Sequence, residues 1–183
     1  MRNTASAHGL PAKLMHWLTA ALMFATLAIA VYFTTLQEKT PGDPQRYFAW
    51  MPWHKTFGFL VLCVAVLRLP WFLTNLRPEL PSVTPRWQRL LAHVTHWVLY
   101  AAMLALPLLG WLGTSAQRSS FKLFTLWTMP RLLDRKDLPL SEKIYDVHVY
   151  LGWTVAAFIA LHVAAACWHQ WVKRDGLLRR MWF

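Results

Sequence analysis

Histidine is the residue type through which this sequence offers most of its chemistry. The chain has eight histidines, and seven of them lie within or at the edge of long apolar segments. These seven are His16, His54, His93, His96, His148, His162 and His169. An ionisable side chain inside a bilayer is costly, so its presence there indicates a functional site. Imidazole is both a proton carrier and a common metal ligand, so the seven histidines predict a metal or proton site within a membrane.

The spacing of two of these histidines favours stacked cofactors. His148 and His162 are fourteen residues apart in one apolar segment. On a helix they lie about 21 Å apart in depth and within about 40° of one face. Zinc ligands would be closer neighbours, at i, i+3 or i+4, so this arrangement suits two haems better than one ion. The sequence has no HExxH and no CxxCH motif, which leaves non-covalent b-type haem.

Composition excludes most soluble classes of protein. Of the 183 residues, 56% are hydrophobic and only 15% are charged, whereas a soluble domain is nearer one quarter charged. So much apolar content excludes disorder, and two cysteines exclude a disulfide scaffold. The net charge of +11 is carried between apolar blocks, where it faces headgroups and water. No nucleic-acid recognition module is visible, so nucleic acid is not an expected partner.

Four apolar segments must position the histidines. They predict helices at about 12–36, 53–73, 88–115 and 145–172, within one membrane domain that covers residues 1–183. A spanning helix needs about 20 mostly apolar residues, which the second segment reaches if Lys55 and Arg68 snorkel at its flanks. The predicted fold class is therefore all-α, an integral membrane four-helix bundle with two b haems in its core.

Depth sorts the histidines into two levels. An even number of spans places both termini on one side, although the basic residues divide ten against nine and barely discriminate between the sides. With the termini inside, only His54 and His148 lie near the outer face, so they form the expected outer pair. The inner level holds His16, His93, His96, His162 and His169. The inner pair stays open between His16 with His162 and His16 with His96.

Several stretches together resemble a known family. They are LMHWL at 14–18, HKTFG at 54–58 with Arg68, AHVTHWVLY at 92–100, ALPLLG at 105–110, HVAAACWH at 162–169 and DGLLRRM at 175–181. Their order and spacing, with the pair His148 and His162, resemble the bacterial di-haem cytochrome b561 family. This family is related to the cytochrome b subunits of nickel hydrogenases and formate dehydrogenases. The resemblance covers essentially the whole chain.

The resemblance implies a bundle in the bacterial inner membrane, with both termini cytoplasmic and two b haems. It implies that the axial haem ligands are His16, His54, His148 and His162, and it favours His16 with His162 as the inner pair. Characterised members look like quinone-linked oxidoreductases, and one branch oxidises superoxide while reducing ubiquinone. The expected function is therefore single-electron transfer between an outer-side donor, such as superoxide, and a quinone such as ubiquinone.

Other functions and contacts remain open at this point. The chain could instead be a non-enzymatic subunit that serves a partner dehydrogenase or a periplasmic redox carrier. It could also be a haem-free transporter in which the histidines form a proton relay. The candidate contacts to the quinone or to haem carboxylates are His96, His169, Arg68 and Lys55. On the outer side, Arg46, Lys55, Arg118 and Lys122 could attract an anion, but acidic residues share that side.

Overall fold

Four long helices dominate the computed structural model, which describes residues 3–4, 7–39, 44–76, 78 and 84–183. They are α1 (Leu10–Lys39), α2 (Pro44–Thr74), α3 (Arg86–Ala116) and α4 (Leu138–Trp168). A π-helical turn, His169–Lys173, continues α4, and a 3-10 turn, Leu178–Arg180, lies near the C-terminus. An antiparallel hairpin joins α3 to α4; its strands are β1 (Lys122–Leu123) and β2 (Trp127–Thr128).

Each long helix is apolar over a membrane-spanning length. The apolar spans are Leu10–Tyr32, Ala49–Thr74, Arg86–Ala116 and Leu138–Lys173. A helix of about 20 residues crosses the hydrocarbon core and satisfies its own backbone hydrogen bonds there. The expected all-α membrane bundle of four helices is thus confirmed.

The second helix begins earlier than the apolar pattern predicts, at Pro44 rather than near residue 53. Proline is well suited to the first turn of a helix because that turn has no use for its missing N–H group. Pro52 lies inside α2, and the hydroxyl of Thr56 donates to its carbonyl oxygen at 2.8 Å. The helix therefore continues through a segment whose prolines predict a loop.

The fourth helix also begins early, at Leu138 rather than near residue 145. The carboxylate of Asp137 caps it by accepting a hydrogen bond from the Leu140 amide at 3.0 Å. A side-chain acceptor at this position satisfies one of the unpaired amides of the first turn. The mixed-charge run before α4 thus ends in a helix cap.

The helices pack in sequence order around a small core. α1 packs against α2, α2 against α3, and α3 against α4. The core joins Val61 and Ala65 of α2 to Tyr100 and Met103 of α3. α1 and α4 line an apolar cavity of about 420 Å³. Its lining residues are Phe24, Leu27, Ala156, Ile159, Ala160, Val163 and Ala164.

The described residues near both ends of the chain meet at one end of the bundle, which we call the terminal end (residues 3–4, 7–13 and 175–183). Lys13 Nζ donates to the carbonyl oxygen of Trp182 at 2.6 Å, and Trp17 Nε1 donates to that of Met181 at 2.8 Å. The rings of Trp17 and Trp182 also lie edge to face, with centroids 5.3 Å apart. The C-terminal tail therefore covers the start of α1.

The opposite end is covered by the connection between α3 and α4, and we call it the hairpin end (residues 117–137). The Phe124 ring packs against Trp53 of α2, and the Phe121 ring packs against Trp111 of α3. The Phe124 amide also donates to the hydroxyl of Thr56 at 3.4 Å. The hairpin is thus anchored on α2 and α3.

Candidate functional site

Two pairs of histidines face each other across the bundle. At the terminal end, the ring of His16 on α1 lies 6.2 Å from the ring of His162 on α4. At the hairpin end, the ring of His54 on α2 lies 6.2 Å from the ring of His148 on α4. The ring planes cross at 61° in the first pair and at 68° in the second. One helix, α4, thus contributes to both pairs at two depths.

The ring separation in both pairs suits a shared metal ion. Imidazole nitrogen binds a transition metal at about 2 Å, so two rings that flank one iron have centroids about 6 Å apart. His96 also faces His162, at the shorter distance of 5.4 Å, in an edge-to-face contact. Among the described residues, no group of three or more His, Cys, Asp or Glu side chains is arranged to hold a metal ion. The structure therefore brings the expected ligands together as pairs.

A backbone carbonyl fixes the tautomer of one ring in the hairpin-end pair. Nδ1 of His54 lies 3.1 Å from the carbonyl oxygen of Thr26 on α1. A carbonyl only accepts, so Nδ1 carries the proton and the acceptor nitrogen of the neutral ring is Nε2. Nδ1 of His148 is buried without a hydrogen-bond partner of ordinary geometry. The Leu106 backbone nevertheless interacts with this ring, so both rings of the pair meet a backbone group.

Small residues leave space beside this pair. A Cβ added at Gly58 or Gly152 would meet nothing within 4 Å. These glycines lie one turn after His54 and His148, so the open space borders both rings. In contrast, a Cβ added at Gly110 would lie 3.3 Å from Cε1 of His148. α3 therefore approaches His148 closely, while α2 and α4 leave room beside the rings for a flat macrocycle.

The apolar cavity between α1 and α4 fits the same group. Its lining runs from Phe24 and Leu27 on α1 to Ala156 and Ala164 on α4, between the levels of the two pairs. Its volume, about 420 Å³, is within the range of small-molecule sites. Its apolar walls suit a largely apolar ligand, although no histidine is among the lining residues.

At the terminal-end pair, Arg68 makes Nδ1 of His16 a hydrogen-bond acceptor, whereas Nδ1 of His54 in the hairpin-end pair is a donor. Its guanidinium donates to Nδ1 of His16 at 3.1 Å and lies over the Tyr100 ring at 5.2 Å from the centroid. Because Nδ1 accepts here, the proton of the neutral ring is on Nε2. Nε2 can bind a metal only when Arg68 turns to another acceptor, and a carboxylate of a bound cofactor is such an acceptor.

The structure separates the remaining predicted contact residues. His93 and His96 are both exposed on α3, and the His96 ring also contacts the ring of His162. His169, in the π-helical turn, pairs with the carboxylate of Asp175. Although partial burial opposes it, hydrogen bonds from His169 and from a backbone amide hold the pKa of Asp175 below its usual value. Lys55 lies at the hairpin end, over the Phe121 ring.

Sequence reasoning missed four partners of these residues: Thr26, Tyr100, Gly110 and Asp175. Thr26 contributes its backbone carbonyl, and a backbone contact cannot be predicted from residue type. The contact of Tyr100 with Arg68 depends on how α2 and α3 are rotated. The sequence marks Gly110 only as a possible interruption of a helix. In the structure, its missing side chain also lets α3 approach His148 closely. An Asp six residues after a His signals a pair only once the turn between them is known.

Four apolar spans that hold facing imidazoles at two depths define the class of membrane b-type cytochromes. The family model of prokaryotic cytochrome b561 matches residues 7–183. The chain therefore belongs to the prokaryotic cytochrome b561 family. Membership implies b-type haem and electron transfer within a membrane, and with the four apolar helices it indicates a bacterial inner membrane.

Named relatives cover nearly the full chain. "Cytochrome b561 homolog 2" of Escherichia coli strain K12 is 26% identical over 98% of this chain and 93% of its own length. "Probable superoxide oxidase CybB" of Yersinia pestis is 31% identical over 91% of this chain and 90% of its own length. "Cytochrome b561 homolog 1" of E. coli K12 is 26% identical over 91% and 92%.

Proposed function

We propose that this chain is a di-haem cytochrome that oxidises superoxide on the periplasmic side and reduces a quinone on the cytoplasmic side. The observation that carries the proposal is the equal 6.2 Å separation of two histidine pairs at opposite ends of α4. His16 and His162 would hold one haem, and His54 and His148 the other. Two ligated groups at two depths provide a path for electrons along the bundle.

Bound haem supplies a one-electron acceptor and donor at each level. The protein residues hold and orient it. At the hairpin end, the Thr26 carbonyl fixes the proton of His54 on Nδ1. At the terminal end, Arg68 is the cation that would meet a cofactor carboxylate once it releases His16. The apolar residues that line the groove between α1 and α4 would keep the space beside the two levels apolar.

The superoxide donor rests on one relative. The relative from Yersinia pestis carries the name superoxide oxidase, and it is 31% identical to this chain. In the proposed reaction, two superoxide ions lose one electron each and leave as dioxygen. One quinone accepts both electrons together with two protons and becomes a quinol. In the orientation that the resemblance implies, the termini would lie in the cytoplasm and the hairpin end would face the periplasm.

His169 is the residue we assign to proton delivery at the terminal end. It lies two turns beyond His162 on the same helical path and pairs with Asp175. An imidazole held by a carboxylate can take a proton from water and pass it to a reduced quinone. His96 is the weaker candidate, because its ring packs against His162 rather than against an acid.

The test is turnover by the purified chain alone. We expect superoxide to reduce the haem spectrum, and a soluble ubiquinone analogue to reoxidise it with quinol formation. His169→Gln should slow quinol formation and leave reduction by superoxide unchanged. His93→Gln, which changes an exposed histidine on α3, is the matched control. No reduction by superoxide in fully haem-loaded protein would refute the donor.

A second function is favoured by one observation on the hairpin. Leu126 is 85% exposed and Trp127 is 71% exposed at its tip. Large apolar side chains at an exposed end are typical of contacts with a partner protein. The chain would then be an electron-transfer subunit that receives electrons from that partner. Turnover with superoxide and quinone in the absence of any partner separates the two functions.

A further inference from the structure

We propose that Lys55 draws a small anionic electron donor to the hairpin-end histidine pair and so selects for negatively charged donors. The proposal rests on the proposed function, because it concerns the site where the outer-side donor gives up its electron. It names the residue and the charge class of donor, which neither the family nor the relatives assign.

The position of Lys55 is the first argument. It follows His54 on α2 and is half-buried within the apolar span Ala49–Thr74. Its Nζ lies 5.9 Å from the centroid of the Phe121 ring, within reach of a cation–π contact. The ammonium group is therefore held under the hairpin, on the residue that follows His54 in α2.

The environment of Lys55 is the second argument. A lysine near a helix end ordinarily extends to the interface and leaves its head in water. Here the head lies against Phe121 instead, and no carboxylate in the described part of the chain pairs with it. Asp137, at the end of the same connection, caps α4. A partly desolvated cation without an acid attracts an anion more strongly than an exposed lysine does.

In the proposed step, the charge of Lys55 favours the reactant over the product. His54 and His148 would hold a haem that can accept one electron, and a superoxide anion that gives up that electron would leave as neutral dioxygen with no proton transferred. Lys55 attracts the negatively charged reactant and exerts no electrostatic attraction on the neutral product. Arg118 and Lys122, both exposed on the hairpin connection, add to the positive field along the approach.

The experiment measures how fast donors of different charge reduce the haem in stopped flow. The variants are Lys55→Gln, Lys55→Arg, which keeps the charge, and Lys143→Gln, an exposed lysine at the start of α4. The donors are superoxide, the dithionite-derived sulfur dioxide radical anion and the uncharged reductant tetramethyl-p-phenylenediamine. Each rate is measured at low and high ionic strength, and haem content is checked by difference spectroscopy.

We expect Lys55→Gln to slow both anionic donors by about threefold or more at low ionic strength, and we expect salt to shrink that difference. Reduction by the neutral donor should not change, and Lys55→Arg and Lys143→Gln should behave like the wild type. Equal slowing of all three donors, unchanged rates with the anions, or loss of haem from Lys55→Gln would each overturn the proposal.

The two proposals fail in different ways. If superoxide does not reduce the wild type while the other radical anion does so with Lys55 dependence, the donor is wrong and the role of Lys55 stands. If superoxide reduces the wild type and Lys55→Gln at the same rate, the proposed function stands and the role of Lys55 is wrong.

Discussion

His54 and His148 face each other across the hairpin end with ring centroids 6.2 Å apart, and Nδ1 of His54 is hydrogen-bonded to the carbonyl oxygen of Thr26. Helix α1 therefore serves both levels of the bundle. It supplies the side chain of His16 at the terminal end and a backbone acceptor at the hairpin end. A shift of α1 along its axis would disturb both pairs together, which makes its packing against α2 part of the site.

Replacing one member of a pair should remove one haem and spare the other. His54→Ala or His148→Ala should leave the terminal-end haem, and His16→Ala or His162→Ala should leave the hairpin-end haem. The reason is that each iron would depend on two ligands, and the third histidine ring in contact, His96, meets only His162 and at 5.4 Å rather than 6.2 Å. Haem content and the redox difference spectrum measure the result.

His93→Ala is the matched control for this series, because His93 is exposed on α3. It should keep the full haem content. Loss of no haem from any of the four pair variants would show that the ligands lie elsewhere.

The glycine beside His148 offers a second test. Gly152→Leu should lower haem content by about half, since its side chain enters the open space that a macrocycle needs. Adding a leucine where nothing lies within 4 Å should cost the haem-free fold little. Thermal unfolding of haem-depleted protein and haem content of loaded protein are measured side by side. A variant with full haem content and unchanged spectra would place the macrocycle away from Gly152.

These tests separate what the sequence could predict from what it could not. The fourteen-residue spacing of His148 and His162 depends only on helix periodicity, so their two depths could be predicted. The start of α2 could not, because the prolines at 44 and 52 are compatible with both a loop and a helix. The hairpin was also missed, since strands of two residues carry no periodicity.

The contacts between helices could not be predicted from the sequence for a related reason. Whether Arg68 meets His16, His96 or solvent depends on how α1 and α2 are rotated about their axes. An apolar pattern on all faces, as in a membrane helix, does not determine that rotation. The choice between His96 and His162 as partner of His16 stayed open for the same reason until the family resemblance was considered.

Arg68 provides a prediction at the terminal end. Arg68→Gln should lower the reduction potential of one haem, because a nearby positive charge stabilises the reduced state. A unit charge about 10 Å away, at an effective dielectric constant of about 20, contributes on the order of 1–2 kcal/mol. A redox titration should show one component shifted and the other in place. Arg68→Lys is the control, and an equal shift in both components would argue against a local role.

The protonation of His8 should make the stability of the terminal end depend on pH. Burial, followed by the positive charges of Arg68, Lys13 and Arg180, lowers the pKa of His8 from 6.5. A lowered histidine pKa means that the folded state disfavours the protonated form. This contribution to stability is therefore present above pH 6.5 and is lost progressively as the pH falls below 6.5.

The comparison of wild type with His8→Gln isolates this effect. As the pH falls from about 7.5 to about 5, the unfolding temperature of the wild type should decrease more than that of the variant. Thermal unfolding in detergent at several pH values measures the difference. The idea is wrong if the two proteins keep a constant difference across that range.

The central claim is that two histidine pairs hold two b haems in one chain. The most direct measurement is the haem content of the purified chain by pyridine haemochrome assay, combined with a redox difference spectrum. The account predicts two b haems per chain, with the spectrum of bis-histidine ligation. One haem would contradict the assignment of one pair, and no haem in protein made with ample haem would contradict the account as a whole.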